Sequence, residues 1–315
     1  MYVRRRGTLV EVETPAKVNL FLEVLSRRAD GFHEIETLMM PIGLFDRVSL
    51  AANSTGTLSL TCRWAHGVEG YRTRHGSRGT GVWEAIPASE DNLALRSLTL
   101  LRQLAGVQAG AEVMLVKRIP AAAGLGGASS DAAAVLAAAN IAWQLGWSRK
   151  QLSEVAAELG SDVPFFLQGG ACLCRGRGEQ IEPVNGVKPF HLVVVRPPAG
   201  LATVAVYRAC SPAAKPRRVD ALVAAACGGD LAQVGRLLFN RLQEAAEQLS
   251  PWIERLRDAF GQLDCLGHQM SGSGTSYLGL CRNAGHARGV AARLRAAGWG
   301  AVFAVTTRQV ALSGG

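Results

Sequence analysis

The sequence predicts a two-domain protein of mixed α and β structure, and three observations lead there. Strand-like and helix-like patterns alternate in both halves of the chain, which is how α and β layers are built together. The 315 residues are enough for two ordinary cores. A Gln168-Gly169-Gly170 step marks a boundary, giving domains over 1–170 and 171–315. The composition, 48% hydrophobic and 19% charged, is that of a globular chain and argues against disorder.

Leu9 to Glu13 and Val18 to Leu25 alternate with a period of two and read as strands. In the second, Val18, Leu20, Leu22 and Val24 share one face, so Lys17 and Asn19 lie side by side on the other. Arg27 to Phe32 is a polar turn containing Asp30-Gly31, and strand patterns return at Asp46 to Leu50 and Leu58 to Cys62. Residues 63–87 carry Arg63, Arg72, Arg74, Arg78 and five glycines without sustained periodicity, and read as a surface insertion.

Leu93 to Leu104 suits a helix and Glu112 to Arg118 a strand. The glycine-rich segment Pro120 to Ser130 follows, then an alanine-rich helix from Asp131 to Leu145. Its small side chains on every face imply deep burial. Ser148 with Gln151 forms a capping-box pattern for the next helix. Leu152, Val155, Ala156 and Leu159 make its apolar stripe, and Gly160 stands at its end. Asp162-Val-Pro-Phe-Phe comes next. Phe190 to Arg196 reads as a strand, and residues 219–249 as helices broken near Gly228-Gly229. Met270-Ser-Gly-Ser-Gly274 is a turn into the strand Ser276 to Cys281. A helix from Gly285 to Ala297 and a strand from Ala301 to Thr306 complete the pattern.

The net charge of +9 favours anionic partners: nucleotides, phosphorylated metabolites, nucleic acid or acidic lipid. No interleaved stripe of basic and aromatic residues supports an RNA-binding module. Seven scattered cysteines without a C-x-x-C pair read as free thiols in a reducing compartment. The N-terminal arginines precede no apolar signal core. The longest apolar run, Ala132 to Trp147, contains Asn140 and Gln144 and falls short of the ~20 residues that span a bilayer. A cytoplasmic protein independent of membranes is expected.

Three segments carry chemistry. Gly124, Gly126 and Gly127 let backbone N–H groups approach a ligand, and a helix start behind them supplies unpaired donors and partial positive charge. Strand, glycine loop and helix make a phosphate cradle. The same residues also suit a plain tight turn capped by Ser129 or Ser130. The segment is neither a Walker A loop nor a dinucleotide fingerprint. Asp131 either caps the helix or helps hold Mg²⁺. Asp162, after a helix end, can orient and deprotonate an acceptor hydroxyl, and Lys17 can neutralise phosphate charge. As plain alternatives they are a turn aspartate and a surface lysine. Ser271-Gly-Ser-Gly274 offers a second nest of backbone donors, although such turns are common.

Pro15-Ala-Lys-Val-Asn-Leu, Pro120 to Ala133 and Met270 to Gly274 resemble, in that order, the three motifs of the GHMP kinases. Pro15 to His33 and Gly160 to Phe166 are closest to the cytidylyl branch of that superfamily. The resemblance covers almost the whole chain outside 63–87. It implies an α+β fold with an N-terminal ribosomal-protein-like ATP-binding domain and a C-terminal ferredoxin-like domain, with the active site between them. It also implies ATP-dependent phosphorylation of the 2-hydroxyl of a cytidine-diphosphate-linked methylerythritol, on the methylerythritol phosphate route to isoprenoids. A GHMP kinase acting on mevalonate, homoserine or a sugar is the alternative.

By the same resemblance Asp162 is the catalytic base and Lys17 its partner. Asn19 positions substrate, His33 reads the cytosine edge and Phe32 stacks on the ring, while Gly272 and Gly274 close the substrate end. Asn92 and Lys117 line the adenine pocket. Pro120, Gly124, Leu125, Gly126, Gly127, Ala128, Ser129 and Ser130 wrap the ATP phosphates. Mg²⁺ is implied without assigned ligands. The expected partners are small molecules, without nucleic acid or membrane, for a monomer or homodimer. Three positions depart from the family pattern: Phe32 for tyrosine, Ala128 for glycine, and Arg241 for an acid in Phe239-Asn-Arg-Leu.

Overall fold

The computed structural model describes residues 1–66, 68 and 91–308. Most of the insertion read at 63–87 lies outside them. The chain opens with β1 (Tyr2–Arg6), β2 (Leu9–Arg27), β3 (His33–Asn53) and β4 (Leu58–Trp64). Helix α1 (Leu93–Ala105) and β5 (Gly110–Lys117) follow, then α2 (Gly127–Ala142), α3 (Arg149–Leu159) and the single turn α4 (Val163–Phe166). Next come β6 (Cys172–Arg175), β7 (Gln180–Pro183), β8 (His191–Arg196), α5 (Thr203–Ala209), α6 (Asp220–Gly228) and α7 (Leu231–Leu237). The last part holds β9 (Phe239–Asn240), α8 (Leu242–Leu249), α9 (Pro251–Gly261), β10 (Gly267–Met270), β11 (Tyr277–Cys281), α10 (Ala284–Ala296) and β12 (Ala301–Thr306).

Two sheets organise these elements. The larger runs β1-β2-β3-β5-β4, with β6 and β7 added beside β3 and β9 beside β2. It draws strands from both sides of residue 170. The smaller runs β10-β11-β8-β12, antiparallel throughout. Helices α1, α2 and α3 cover one face of the larger sheet, where Val10, Val12, Val48 and Leu50 pack against Leu98, Val135 and Leu152. Ala16, Val18 and Leu20 join Leu192, Val194, Leu278 and Leu280 of the smaller sheet in a second core. Leu22 and Val24 reach a third core with Val193, Phe260 and Tyr277. Strand β2 therefore passes through all three cores. It alternates buried and half-buried residues at its start and is buried on both faces from Thr14 to Val24.

The two strands expected at 9–13 and 18–25 are one. Pro15 sits at the first of three register shifts in β2, and a bulge is where a strand tolerates a residue without an N–H. Helix α2 begins at Gly127, ahead of the expected Asp131, because Gly126 (φ +71°) turns the chain into it as N-cap. Asp131 consequently caps nothing and lies inside the helix. Ala132 to Ala139 are buried on every face, as the small side chains require. The Ser148–Gln151 capping box forms. Gly160 closes α3 in an extended conformation, its N–H still donating to Ala156. All seven cysteines are free. No helix among the described residues is long and apolar enough to cross a membrane.

Candidate active site

Lys17 stands on β2 where the helical layer gives way to a cleft. Only 5% of its side chain is exposed, and its Nζ donates to Asn19 Oδ1 at 2.8 Å and lies 3.3 Å from Asp162 Oδ2. A buried ammonium needs such partners. Asp162 comes from the far side of the cleft, at the start of α4, and makes no capping bond there. About a third of its side chain is exposed, so its carboxylate can meet a ligand. Asn19 is fixed in turn: its amide donates to Thr37 Oγ1, and Thr37 donates to Phe21 O.

The glycine loop comes in under this pair. Lys17 N–H donates to Leu125 O, and a Cβ on Gly126 would lie 2.8 Å from the Phe166 ring and 3.0 Å from Lys17 Cγ. Gly124 (φ +70°) has no room either, because its Cβ would lie 2.4 Å from Ser271 O. The first helical bond of α2 runs from Ser130 N to Gly126 O, and no side chain caps the helix. The donors ahead of that bond are left for a ligand, which is what phosphate oxygens require. The third turn closes the arrangement. Ser271 Oγ accepts from Asn19 N and reaches Gly124 O, while Ser276 N–H donates to Ala123 O. A Cβ on Gly272 would come within 3.2 to 3.4 Å of Gly124 O, Asn19 Oδ1 and Lys17 Nζ. All three motifs thus meet at Lys17, Asn19, Gly124 and Gly272. Gly274 (φ +88°) carries the turn on past Met270.

Other expected residues sit differently. Ser130 is fully buried, and its hydroxyl is tied to Thr14 and Pro15 O, so it pins the loop to β2 and does not face the cleft. Ala128 and Ser129 fill the first turn of α2, while Pro120 and Leu125 are buried. Asn92 is the N-cap of α1, accepting from Ala94 N and turning its amide to Cys62. Lys117 lies beneath Gly127, its ammonium bound to Asp46 and Asp131. Its backbone carbonyl accepts from Ala65 N. Burial opposes the charge of Lys117, but the two carboxylates outweigh burial and hold it above the ordinary lysine range. For Asp131 burial wins: its carboxyl is pushed well above the usual range, with Asp46 adding to the push and Lys117 opposing it. Asp131 Oδ1 has no partner among the described residues. The triad underpins the loop from inside and does not line the cleft.

At the other end of the cleft, His33 packs on Tyr207 of α5 with ring centroids 5.3 Å apart. Burial, then Arg27, lowers its pKa and favours the neutral ring, and its Nε2 is buried without a partner among the described residues. An orphaned ring nitrogen suits a ligand's hydrogen-bonding edge. Phe32 is half exposed, with Arg177 over its ring at 4.8 Å. Tyr207 escaped the sequence reading. Its hydroxyl is pushed above the usual range by burial and then by the charge of Asp162. No local pattern singles it out. A cavity of about 480 Å³ elsewhere on the large sheet, between Glu13, Arg47, Met114 and Phe303, includes none of the motif residues.

A glycine loop at a helix start, beside a lysine–aspartate pair and closed by a glycine turn from the C-terminal part of the chain, defines a small-molecule kinase of the GHMP class. Residues 92–170 match the family model of the GHMP kinases N terminal domain, and 221–299 that of the GHMP kinases C terminal region. ATP use comes with that class. A 4-diphosphocytidyl-2-C-methyl-D-erythritol kinase of Pelotomaculum thermopropionicum is 42% identical over 282 residues, 89% of this chain and 92% of that one. The enzyme of that name from Thermobifida fusca is 39% identical over 298 residues, 92% and 93% of the two chains. The crystal structure of a 4-(cytidine 5'-diphospho)-2C-methyl-D-erythritol kinase is similar with TM-score 0.74 at 35% identity, covering 94% of this chain and 98% of that one. Homoserine kinase of Cytophaga hutchinsonii, 20% identical with TM-score 0.71, shares the fold. The chain belongs to the 4-diphosphocytidyl-2-C-methyl-D-erythritol kinase family.

Proposed function

We propose that this protein transfers the γ-phosphoryl group of ATP to the 2-hydroxyl of 4-diphosphocytidyl-2-C-methyl-D-erythritol, a step of the methylerythritol phosphate route to isoprenoids. The observation that carries the reaction is the Lys17–Asp162 pair set against the uncapped start of α2. Phosphoryl transfer asks for positioning and charge stabilisation more than covalent chemistry. Asp162 orients the acceptor hydroxyl and takes its proton as the oxygen bonds to the γ-phosphorus and the bond to the ADP oxygen breaks. Lys17 offsets the charge building between them. Backbone N–H groups around Gly126 and Gly127 hold the phosphates, and Asn19 fixes Lys17 from the side.

The cytidylyl end of the substrate fits the His33 end of the cleft. The orphaned Nε2 of His33 meets the base edge, and Phe32 with Tyr207 supplies aromatic surface. Phe32 lacks the family's usual hydroxyl and keeps the stacking face. Mg²⁺ prefers phosphate oxygens and water with one or two protein oxygens. The Ser129 hydroxyl, in the first turn of α2 and unpartnered among the described residues, fits one such place. When bound there, Mg²⁺ would neutralise negative charge on the phosphates. The basic balance of the chain suits two anionic substrates.

The test is ADP release with Mg·ATP and the cytidylyl substrate, with mevalonate, homoserine and galactose alongside. Turnover confined to the cytidylyl substrate is expected. Turnover of another alcohol alone would overturn the assignment of Phe32 and His33 and leave the phosphate loop standing.

A further inference from the structure

Outside the three motifs, Glu23 is a heavily bonded polar group near the cleft. It is fully buried on β2, and its carboxylate accepts four hydrogen bonds. Arg241 Nε and Val24 N–H meet Oε1 at 2.7 and 3.0 Å, while a second Arg241 nitrogen and Arg217 N–H meet Oε2 at 3.0 and 2.9 Å. Such a fork fixes direction as well as distance. Position 241 is where the family pattern has an acid. Here it is an arginine, and Glu23 supplies the opposite charge.

The fork holds β9 against β2. Arg241 N–H also donates to Leu22 O, and Asn240 pairs with Leu22 in parallel register. Asn240 is buried, and its orientation is unambiguous. Leu242 N–H donates to its Oδ1 at 3.0 Å, so its amide nitrogen faces the other way. That nitrogen donates to Met270 O and Gly272 O, each at 2.8 Å. Those carbonyls flank the third glycine turn, whose Gly272 abuts Lys17 and Asn19. The turn has a second tie beside it, from Gln269 Nε2 to Asn19 O at 2.8 Å.

We infer that Asn240, anchored by the Glu23–Arg241 ion pair, is a positioning residue for phosphoryl transfer: it sets the 270–274 turn against Lys17 and Asn19. It acts through the turn and touches neither substrate. The inference rests on the kinase reading above. Because small misplacements at a reacting centre are magnified in rate, Asn240 governs kcat more than binding.

The test is Asn240→Asp in the full chain. Aspartate keeps the size and the acceptor for Leu242 N–H but turns an anionic oxygen on two carbonyls. The expected result is kcat down by about 30- to 100-fold with KM for ATP within about threefold. A residue that only braces the fold would lower Tm and leave kcat per folded molecule unchanged, and that result overturns the inference. Should Asn240→Asp not fold, Arg241→Lys makes the same measurement without touching Asn240. It keeps the charge and loses the fork. A severalfold loss of kcat at constant KM supports the role, and an unchanged kcat overturns it. The unsubstituted protein is assayed alongside with the cytidylyl substrate. Its failure to turn over sinks the functional reading, whereas normal turnover with an unaffected Asn240→Asp sinks the positioning role alone.

Discussion

Lys17 Nζ lies 3.3 Å from Asp162 Oδ2, joining the middle of the large sheet to the start of α4 across the cleft. The ammonium is almost closed to water while the carboxylate is partly open. Asp162→Asn keeps the size and loses the proton acceptor. We expect kcat to fall by about 10²- to 10⁴-fold with Tm nearly constant, read by ADP release and thermal melting. A variant retaining more than half of the activity would remove Asp162 from the chemistry.

Gly124 has no space for a side chain. Its φ of +70° and the 2.4 Å approach of a Cβ to Ser271 O mean that Gly124→Ala must move either the phosphate loop or the third turn. Backbone strain of this kind costs about 1–3 kcal/mol. Loss of kcat/KM by at least tenfold is expected, with a lowered Tm. Gly146, also left-handed but with open space around its Cβ, is the control: Gly146→Ala lowers Tm alone.

The carboxylates flanking Lys117 are not equivalent. Asp46 Oδ1 also accepts from Arg118 N and Ile119 N, whereas Asp131 Oδ1 has no partner among the described residues and burial pushes its carboxyl up. Asp131→Asn should therefore cost less than Asp46→Asn at pH 7. Asp46→Asn should cost several kcal/mol, since it uncouples a buried ion pair. A carboxyl with a raised folded pKa gives its full stability below the unfolded value of 3.8 and loses it as pH rises. The melting point of Asp131→Asn, relative to the parent, should improve from acid to neutral pH. A constant difference would show that Asp131 is ionised in the fold.

Glu23 has the opposite sign. Burial alone would raise its pKa, but the Arg241 bond and the Arg217 and Val24 amides outweigh burial and lower it. Its contribution is complete above the unfolded value of 4.5 and is lost as pH falls through the lower folded value. Glu23→Gln should lower Tm at neutral pH and flatten the acid limb of the stability curve. Equal acid limbs in parent and variant would contradict the lowered value.

His33→Ala should raise KM for the cytidylyl substrate by at least tenfold, since a site that hydrogen-bonds its ligand discriminates strongly when the bond is lost. KM for ATP should stay the same. Initial rates with each substrate varied in turn decide this, and equal shifts in both KM values would place His33 outside the base pocket.

Much of the centre was legible because it is local. The period of two in β2 put Lys17 and Asn19 on one face, and they do bond to each other. The glycines announced a close approach of backbone, and Gly124 and Gly126 indeed leave no room for a side chain; Ser148 with Gln151 announced a helix start. The misreadings also have local causes. Glycines were treated as loop, so the start of α2 at Gly127 was placed late. Ser130 looked like a phosphate donor because sequence does not reveal the pull of Thr14 and Pro15 from β2. What stayed hidden was long-range. Asp46 beside Lys117, Tyr207 over His33 and Asn240 under Gly272 meet only once the two sheets have packed.

The three register shifts of β2, at Pro15/Ala16, Asn19/Phe21 and Val24/Ser26, act like phase resets in a two-beat code. Each restarts the alternation of inward and outward residues, and the beat carrying Lys17 and Asn19 is bracketed by the first two. Evolution can change letters inside that bracket, but it cannot change their number without turning the lysine away from Asp162. A change of length is tolerated only towards the ends of the strand, so the placing of Lys17 against Asp162 depends on the counting of a backbone as much as on the chemistry of the two side chains.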